Sequence, residues 1–154
     1  MLELGSIYRR SKLFGEAREL YEKIIAVNPK YAGAYGNLGN VYLDQGDIEN
    51  AIANYEKFAL YSAKKDLAAQ NFLNAGFEYA TRSEHEKALA LYKRALELTP
   101  VNPLAYADVG WSKLKLGKTQ EAIDAFEKAL ELKPTKQVDE YARKGLKEAR
   151  TRKH

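Results

Sequence analysis

No cysteine occurs among the 154 residues, which excludes disulfides, thiolate metal sites, thiol nucleophiles and thiol redox switches. Histidine is nearly as scarce: only His85 and His154 could supply an imidazole, so metal and acid–base sites built on histidine have almost no material. No metal or cofactor is expected. The glycines fall at regular intervals rather than in a cluster, so there is no glycine-rich phosphate loop. No apolar run approaches the roughly 18 residues that a membrane-spanning helix needs. Charges at Glu3, Arg9, Arg10 and Lys12 interrupt the start too early for a signal peptide. These absences predict a soluble chain without membrane contact, with the cytoplasm as its expected compartment.

What is present suffices for a core. Hydrophobic residues make up 45% and charged residues 30%, the balance of a folded chain and not of a disordered one. The length suits one continuous domain. The net charge of +4 is unevenly placed: residues 133–154 hold eight Lys or Arg against three acids, a local +5, while the other 132 residues carry 17 basic against 18 acidic groups, −1. All the basic excess lies at the C-terminal end.

The chain repeats itself. Gly5, Gly39, Gly76 and Gly110 are spaced by 34, 37 and 34 residues, and each opens the same register. Three residues later stand Tyr8, Tyr42, Tyr79 and Lys113. Twelve later come Ala17, Ala51, Ala88 and Ala122, and sixteen later Tyr21, Tyr55, Tyr92 and Phe126. Twenty-four later come Pro29, Ala63, Pro100 and Pro134. Within a copy the apolar spacing is helical, as in Tyr35, Leu38, Gly39 and Tyr42, then again in Ala51, Ile52, Tyr55 and Ala59 after a break at Gln45-Gly46-Asp47. Each copy therefore predicts a helical hairpin, and the chain an all-α array. The small residues let the two helices approach closely, and the large aromatics fill the space around that contact. Asp47 and Ser83 are expected to cap second helices, and Pro100 and Pro134 to end them. A single hairpin cannot bury both its faces, so neighbours must stack.

On these residues the chain resembles the tetratricopeptide repeat family. The segment Ala34-Tyr35-Gly36-Asn37-Leu38-Gly39-Asn40-Val41-Tyr42 is close to the family consensus for a first helix, and Glu121-Ala122-Ile123-Asp124-Ala125-Phe126 for a second. The resemblance covers about residues 1–136, with repeats near 1–31, 32–68, 69–102 and 103–136. It implies a right-handed α-solenoid whose first helices line a concave groove that holds a peptide or helix of another protein. After Pro134, Val138, Tyr141, Ala142, Gly145, Leu146 and Ala149 predict a capping helix near 137–150, followed by a basic tail at 151–154.

Three departures carry expectations of their own. The first copy begins at Met1, where the family has more helix, as in a fragment of a longer array; Leu2 and Leu4 are then open to a second copy of the chain. Phe58 stands where a small residue is usual, and three extra residues, Asp66, Leu67 and Ala68, precede the third copy. Gly and Pro are absent from residues 48–75, so a turn near 62–66 with a lengthened first helix is weighed against one continuous helix that would permit domain swapping.

The resemblance also places a groove. Its positions fall at Leu2, Ser6, Arg9 and Arg10 in copy one and at Gly36, Asn40, Leu43 and Asp44 in copy two. They fall at Leu73, Phe77, Ala80 and Thr81 in copy three and at Ala107, Trp111, Leu114 and Lys115 in copy four. Phe77 and Trp111 stand at equivalent places and are the expected anchors for a partner's apolar side chains, against the alternative that they pack between helices. Arg9, Arg10 and Lys115 could meet a carboxylate. Of the charge clamp that some relatives use for chaperone tails, only Asn40 and Asn74 match, so that ligand is disfavoured. Acidic pairs such as Glu16/Glu19, Glu84/Glu86 and Glu127/Glu131 sit beside Lys and Arg and predict ion-paired surface, not catalysis. The expected function is a non-enzymatic scaffold. Its alternatives are a targeting or oligomerisation module of a larger protein and a weaker contact of the basic end with nucleic acid or an acidic surface.

Overall fold

The computed structural model describes residues 1–152, and residues 153–154 of the expected basic tail lie outside the described residues. Among the described residues the chain forms nine helices and no strand. They are α1 (Leu2–Arg10), α2 (Phe14–Val27), α3 (Ala32–Asp44), α4 (Ile48–Tyr61), α5 (Lys65–Thr81), α6 (His85–Leu98), α7 (Pro103–Lys115), α8 (Thr119–Glu131) and α9 (Lys136–Arg152). The backbone packs into two compact units, Met1–Ala75 and a second from Gly76 onward, with the boundary inside α5.

Each repeat register becomes one physical contact. A Cβ added at Gly39 would lie 2.5 Å from the Tyr55 ring and 3.2 Å from the Ala51 carbonyl oxygen. The same added atom at Gly5, Gly76 and Gly110 would meet Tyr21 at 2.6 Å, Tyr92 at 2.5 Å and Phe126 at 2.6 Å. The glycine is thus the seat of the aromatic sixteen residues on, and the ring lies on it rather than above or below. All four rings are buried, each worth about 2–3 kcal/mol in removed apolar surface. Phe58, the unexpected large residue, has a seat of its own: its ring lies 3.0 Å from a Cβ placed on Gly36.

The turn inside each hairpin is also repeated. Lys12, Gly46, Ser83 and Gly117 hold φ of 59°, 78°, 61° and 74°, the left-handed conformation that reverses the chain between first and second helix. Ser83 was expected to cap α6; it occupies this turn instead, and Glu84 precedes the helix without a side-chain cap. Asp47 does cap α4, accepting from the Asn50 amide at 3.1 Å, and Asn102 caps α7, accepting from the Ala105 amide at 3.1 Å.

In the first unit α1 packs on α2 and α3, α2 on α3, and α3 on α4. The helix breaks after Tyr61, where Ser62 is extended at ψ 139°, and α5 resumes at Lys65. The break removes the continuous helix, and the extra residues lengthen α5 to 17 against 13 in α3 and α7. In the second unit α7 packs on α6, α8 and α9, and α8 on α9. The last helix is more than a lid. Gly145 follows Gly110 by 35 residues and, like it, packs directly against the Phe126 ring. Helix α9 therefore enters as the first helix of a further half-repeat.

Two substitutions read these constraints. Gly39→Ala should cost about 1–3 kcal/mol through overpacking against Tyr55. Ser83→Gly should stabilise by about 1 kcal/mol by relieving a left-handed non-glycine residue. Thermal unfolding followed by circular dichroism distinguishes them, and a Gly39→Ala protein as stable as the parent would contradict the ring-on-glycine account.

Candidate functional site

The position after each repeat glycine decides what its ring does next. Ser6 Oγ lies 3.2 Å from Tyr21 Oη, and Tyr55 Oη donates to Asn40 Oδ1 at 2.8 Å. These short polar residues satisfy the buried phenols, which burial pushes well above the usual tyrosine range at Tyr55. In copy three that position is Phe77, which cannot bond Tyr92; the Tyr92 hydroxyl is hydrogen-bonded to Ser112 instead. In copy four the ring is Phe126, which needs no partner, and Trp111 packs edge-on to it at 5.6 Å between centroids.

These two changes leave a cavity of about 210 Å³ in the second unit. Phe77, Ala80 and Thr81 of α5, His85 and Tyr92 of α6, and Trp111, Ser112 and Lys115 of α7 line it with Asp108 and with Tyr141 of α9. Phe77 is 55% exposed at its edge. Asp108 is only 8% exposed, and Tyr141 Oη donates to its Oδ1 at 3.2 Å. Burial raises the Asp108 carboxyl to about 7, against the hydrogen bond from Tyr141, which favours the ionised form. Burial and the Asp108 charge together push Tyr92 and Tyr141 above the ordinary tyrosine range. Two further polar atoms are buried here with no partner, Trp111 Nε1 and His85 Nδ1.

The expected groove residues divide accordingly. Phe77, Trp111 and Lys115 come together at this cavity. Leu73 and Leu114 do not serve as groove contacts: they are 2% and 0% exposed, and Leu114 belongs to the core that α9 closes with Ala142, Leu146 and Ala149. Trp111 is shared: it meets Phe126 edge-to-face and Tyr141 at a tilt while also lining the cavity. In the first unit a cavity of about 370 Å³ includes Asn37, Asn40, Phe58 and Asn71. Asn40 lines it while its Oδ1 accepts from Tyr55 Oη at 2.8 Å. Arg9 is held by Asp44 at 2.8 Å and is not free for a ligand carboxylate. Arg10, Leu43 and Asn74 line neither cavity; Gln70 Nε2 donates to Asn74 Oδ1 at 2.9 Å.

Asp108, His85 and Tyr141 were not expected as site residues. Asp108 stands two before the repeat glycine, in a polar column with Glu3, Asn37 and Asn74. Tyr141 stands four before Gly145, in the column of Tyr35, Phe72 and Tyr106. Extending the register into α9 would have placed both on facing first helices.

Comparison with known proteins agrees with this geometry. Tetratricopeptide repeat family profiles match residues 1–31, 30–100 and 103–136. The chain belongs to the tetratricopeptide repeat family. Among its relatives, the general transcriptional corepressor ssn6 of Schizosaccharomyces pombe is 30% identical over 100 residues, covering 65% of this chain and 9% of that protein. The photosystem I assembly protein Ycf3 of Synechococcus is 28% identical over 112 residues, covering 71% of this chain and 65% of that protein. The chain thus spans less than two thirds of either relative's length. The tetratricopeptide fold is matched by a crystal structure of MamA with a TM-score of 0.66 at 24% identity, over 97% of this chain and 94% of that one. The family supports a general protein-binding role. Among the described residues no helix is long and apolar enough to cross a membrane.

The buried carboxyl gives the second unit a pH signature. Because Asp108 rises from 3.8 to about 7 on folding, the folded state holds its proton longer, so this group's contribution falls as pH rises between those values, by at most about 4 kcal/mol. His85, Tyr92, Lys115 and Tyr141 are the other titratable groups around the cavity. Asp108→Asn should therefore gain stability over the parent between pH 5 and about 8, read as a growing difference in Tm; a pH-independent difference would contradict it.

Proposed function

We propose that this chain is a non-enzymatic scaffold that holds a segment of a partner protein along its first helices, with the cavity of the second unit as the anchoring point. The observation that carries the reading is Phe77: a large aromatic, 55% exposed, at the edge of a cavity that it lines with Trp111 and Tyr141. Exposed apolar area of this kind is what a partner segment would cover. Large aromatics at such places commonly dominate binding energy.

Two observations weigh against the other readings. The acidic pairs are engaged at the surface: Lys87 bridges Glu84, Lys128 bridges Glu131 at 3.0 Å, and Arg150 bridges Glu127 at 2.8 Å, which supports ion-paired surface over catalysis. On α9, Arg143 and Arg152 are likewise bound to Asp139 and Glu148, both at 2.6 Å, so much of the basic face is neutralised within the protein and offers less to phosphates.

The test is selection of binders from a phage-displayed library of random peptides, followed by titration of the selected peptide against wild type and Phe77→Ser. Affinity should fall about tenfold or more, corresponding to about 1.4 kcal/mol, with the unfolding temperature little changed. Equal affinity for the two proteins would overturn the anchoring role. Trp111→Ala is unsuitable for this purpose, since Trp111 also supports Phe126 and its loss would disturb folding.

A further inference from the structure

The walls of the second unit's cavity are specific about what they could receive. Four of them are aromatic, Phe77, Tyr92, Trp111 and Tyr141, and Asp108 is the single acidic side chain among the lining residues. It accepts a hydrogen bond from Tyr141, and its remaining acceptor capacity stays open. An apolar occupant would cover the Asp108 carboxyl without pairing it, at a desolvation cost. An anionic occupant would face the Asp108 charge where little water screens it. A cation meets neither obstacle. It is attracted by the aromatic walls and by the carboxylate at once.

Resting on the scaffold reading above, we infer that this cavity receives the cationic head of a lysine or arginine side chain from the partner segment, lodged against Asp108 among the four rings. The donors of that head pair with the Asp108 carboxylate. Lys115, exposed at the cavity edge, is solvated and its repulsion is screened. Thr81 and Ser112 add hydroxyls; α5 brings no titratable group, α6 brings His85 and Tyr92, α7 Lys115 and α9 Tyr141. Cation binding holds Asp108 ionised, so affinity should rise with pH toward about 8.

The single tryptophan makes the test direct, because Trp111 gives one indole N–H resonance. The full chain is titrated with n-butylguanidinium chloride and n-butylammonium chloride, with sodium butyrate as the anionic counterpart and sodium chloride at matched ionic strength. At least one cation should shift the indole resonance saturably, and the arm that saturates first distinguishes an arginine from a lysine pocket. Asp108→Asn should weaken that response about tenfold, and Tyr141→Phe, which keeps the ring, should leave it saturable. Thermal unfolding confirms that both variants are folded. Saturation by butyrate alone, an unchanged response in Asp108→Asn, or no saturation by either cation up to about 100 mM overturns the inference. Free cations need no partner segment, so their failure with Phe77-dependent peptide binding intact removes only the cation pocket. The reverse result removes only the groove reading.

Discussion

An aromatic ring packed directly against a glycine of the preceding helix is the contact on which the rest of this protein depends. The distance between those helices is set by the absence of a Cβ, since an added atom at Gly39 or Gly76 would fall 2.5 Å from a ring carbon. Close approach in turn buries Tyr21, Tyr55, Tyr92 and Phe126 almost completely, and a buried phenol must find a partner for its hydroxyl. In the first unit that demand accounts for the residue after the glycine, Ser6 and Asn40. Packing and surface chemistry are thus linked through one position.

The first unit meets the demand locally. Ser6 and Asn40 serve the phenols of their own hairpins, and Arg9 and Asp44 neutralise each other across α1 and α3. The second unit does not. Phe77 cannot serve Tyr92, so Ser112 does, and replacing the fourth ring by Phe126 frees position 111 for a tryptophan. Helix α9 then completes the enclosure, bringing Tyr141 over Trp111 at 5.7 Å and to the carboxyl of Asp108. A polar column that is exposed at Asn74 becomes buried at Asp108 because another helix stands in front of it. A cavity with a buried acid, aromatic walls and unpartnered donors is the outcome of these departures from the repeat, not of the repeat itself.

The helical hairpins, their order and the family were legible in the residues because each depends on near neighbours: a 34-residue register, a 3.6-residue apolar period and a turn between them. The lengthened α5 was legible too, since three extra residues must go somewhere and a helix accommodates them. Ser83 shows where local reasoning stopped. A serine before a helix reads as a cap, yet its place in the register is that of Gly46 and Gly117, and the reversal of the chain there requires a left-handed residue whatever its side chain prefers. The groove positions were half legible. Phe77, Trp111 and Lys115 do converge, whereas Leu73 and Leu114 were absorbed into packing because neighbouring helices cover them.

The sequence by itself determined the hairpin, the repeat and the glycine that each aromatic needs, all consequences of contacts within some 16 residues along the chain. Only the tertiary structure decided which polar groups end up buried and which aromatic stays open. Burial of Asp108 depends on α9, whose Tyr141 lies 33 residues away, and the orphaned nitrogens of His85 and Trp111 depend on three helices meeting. Desolvation is a property of everything packed around a group, so no local pattern could have announced it.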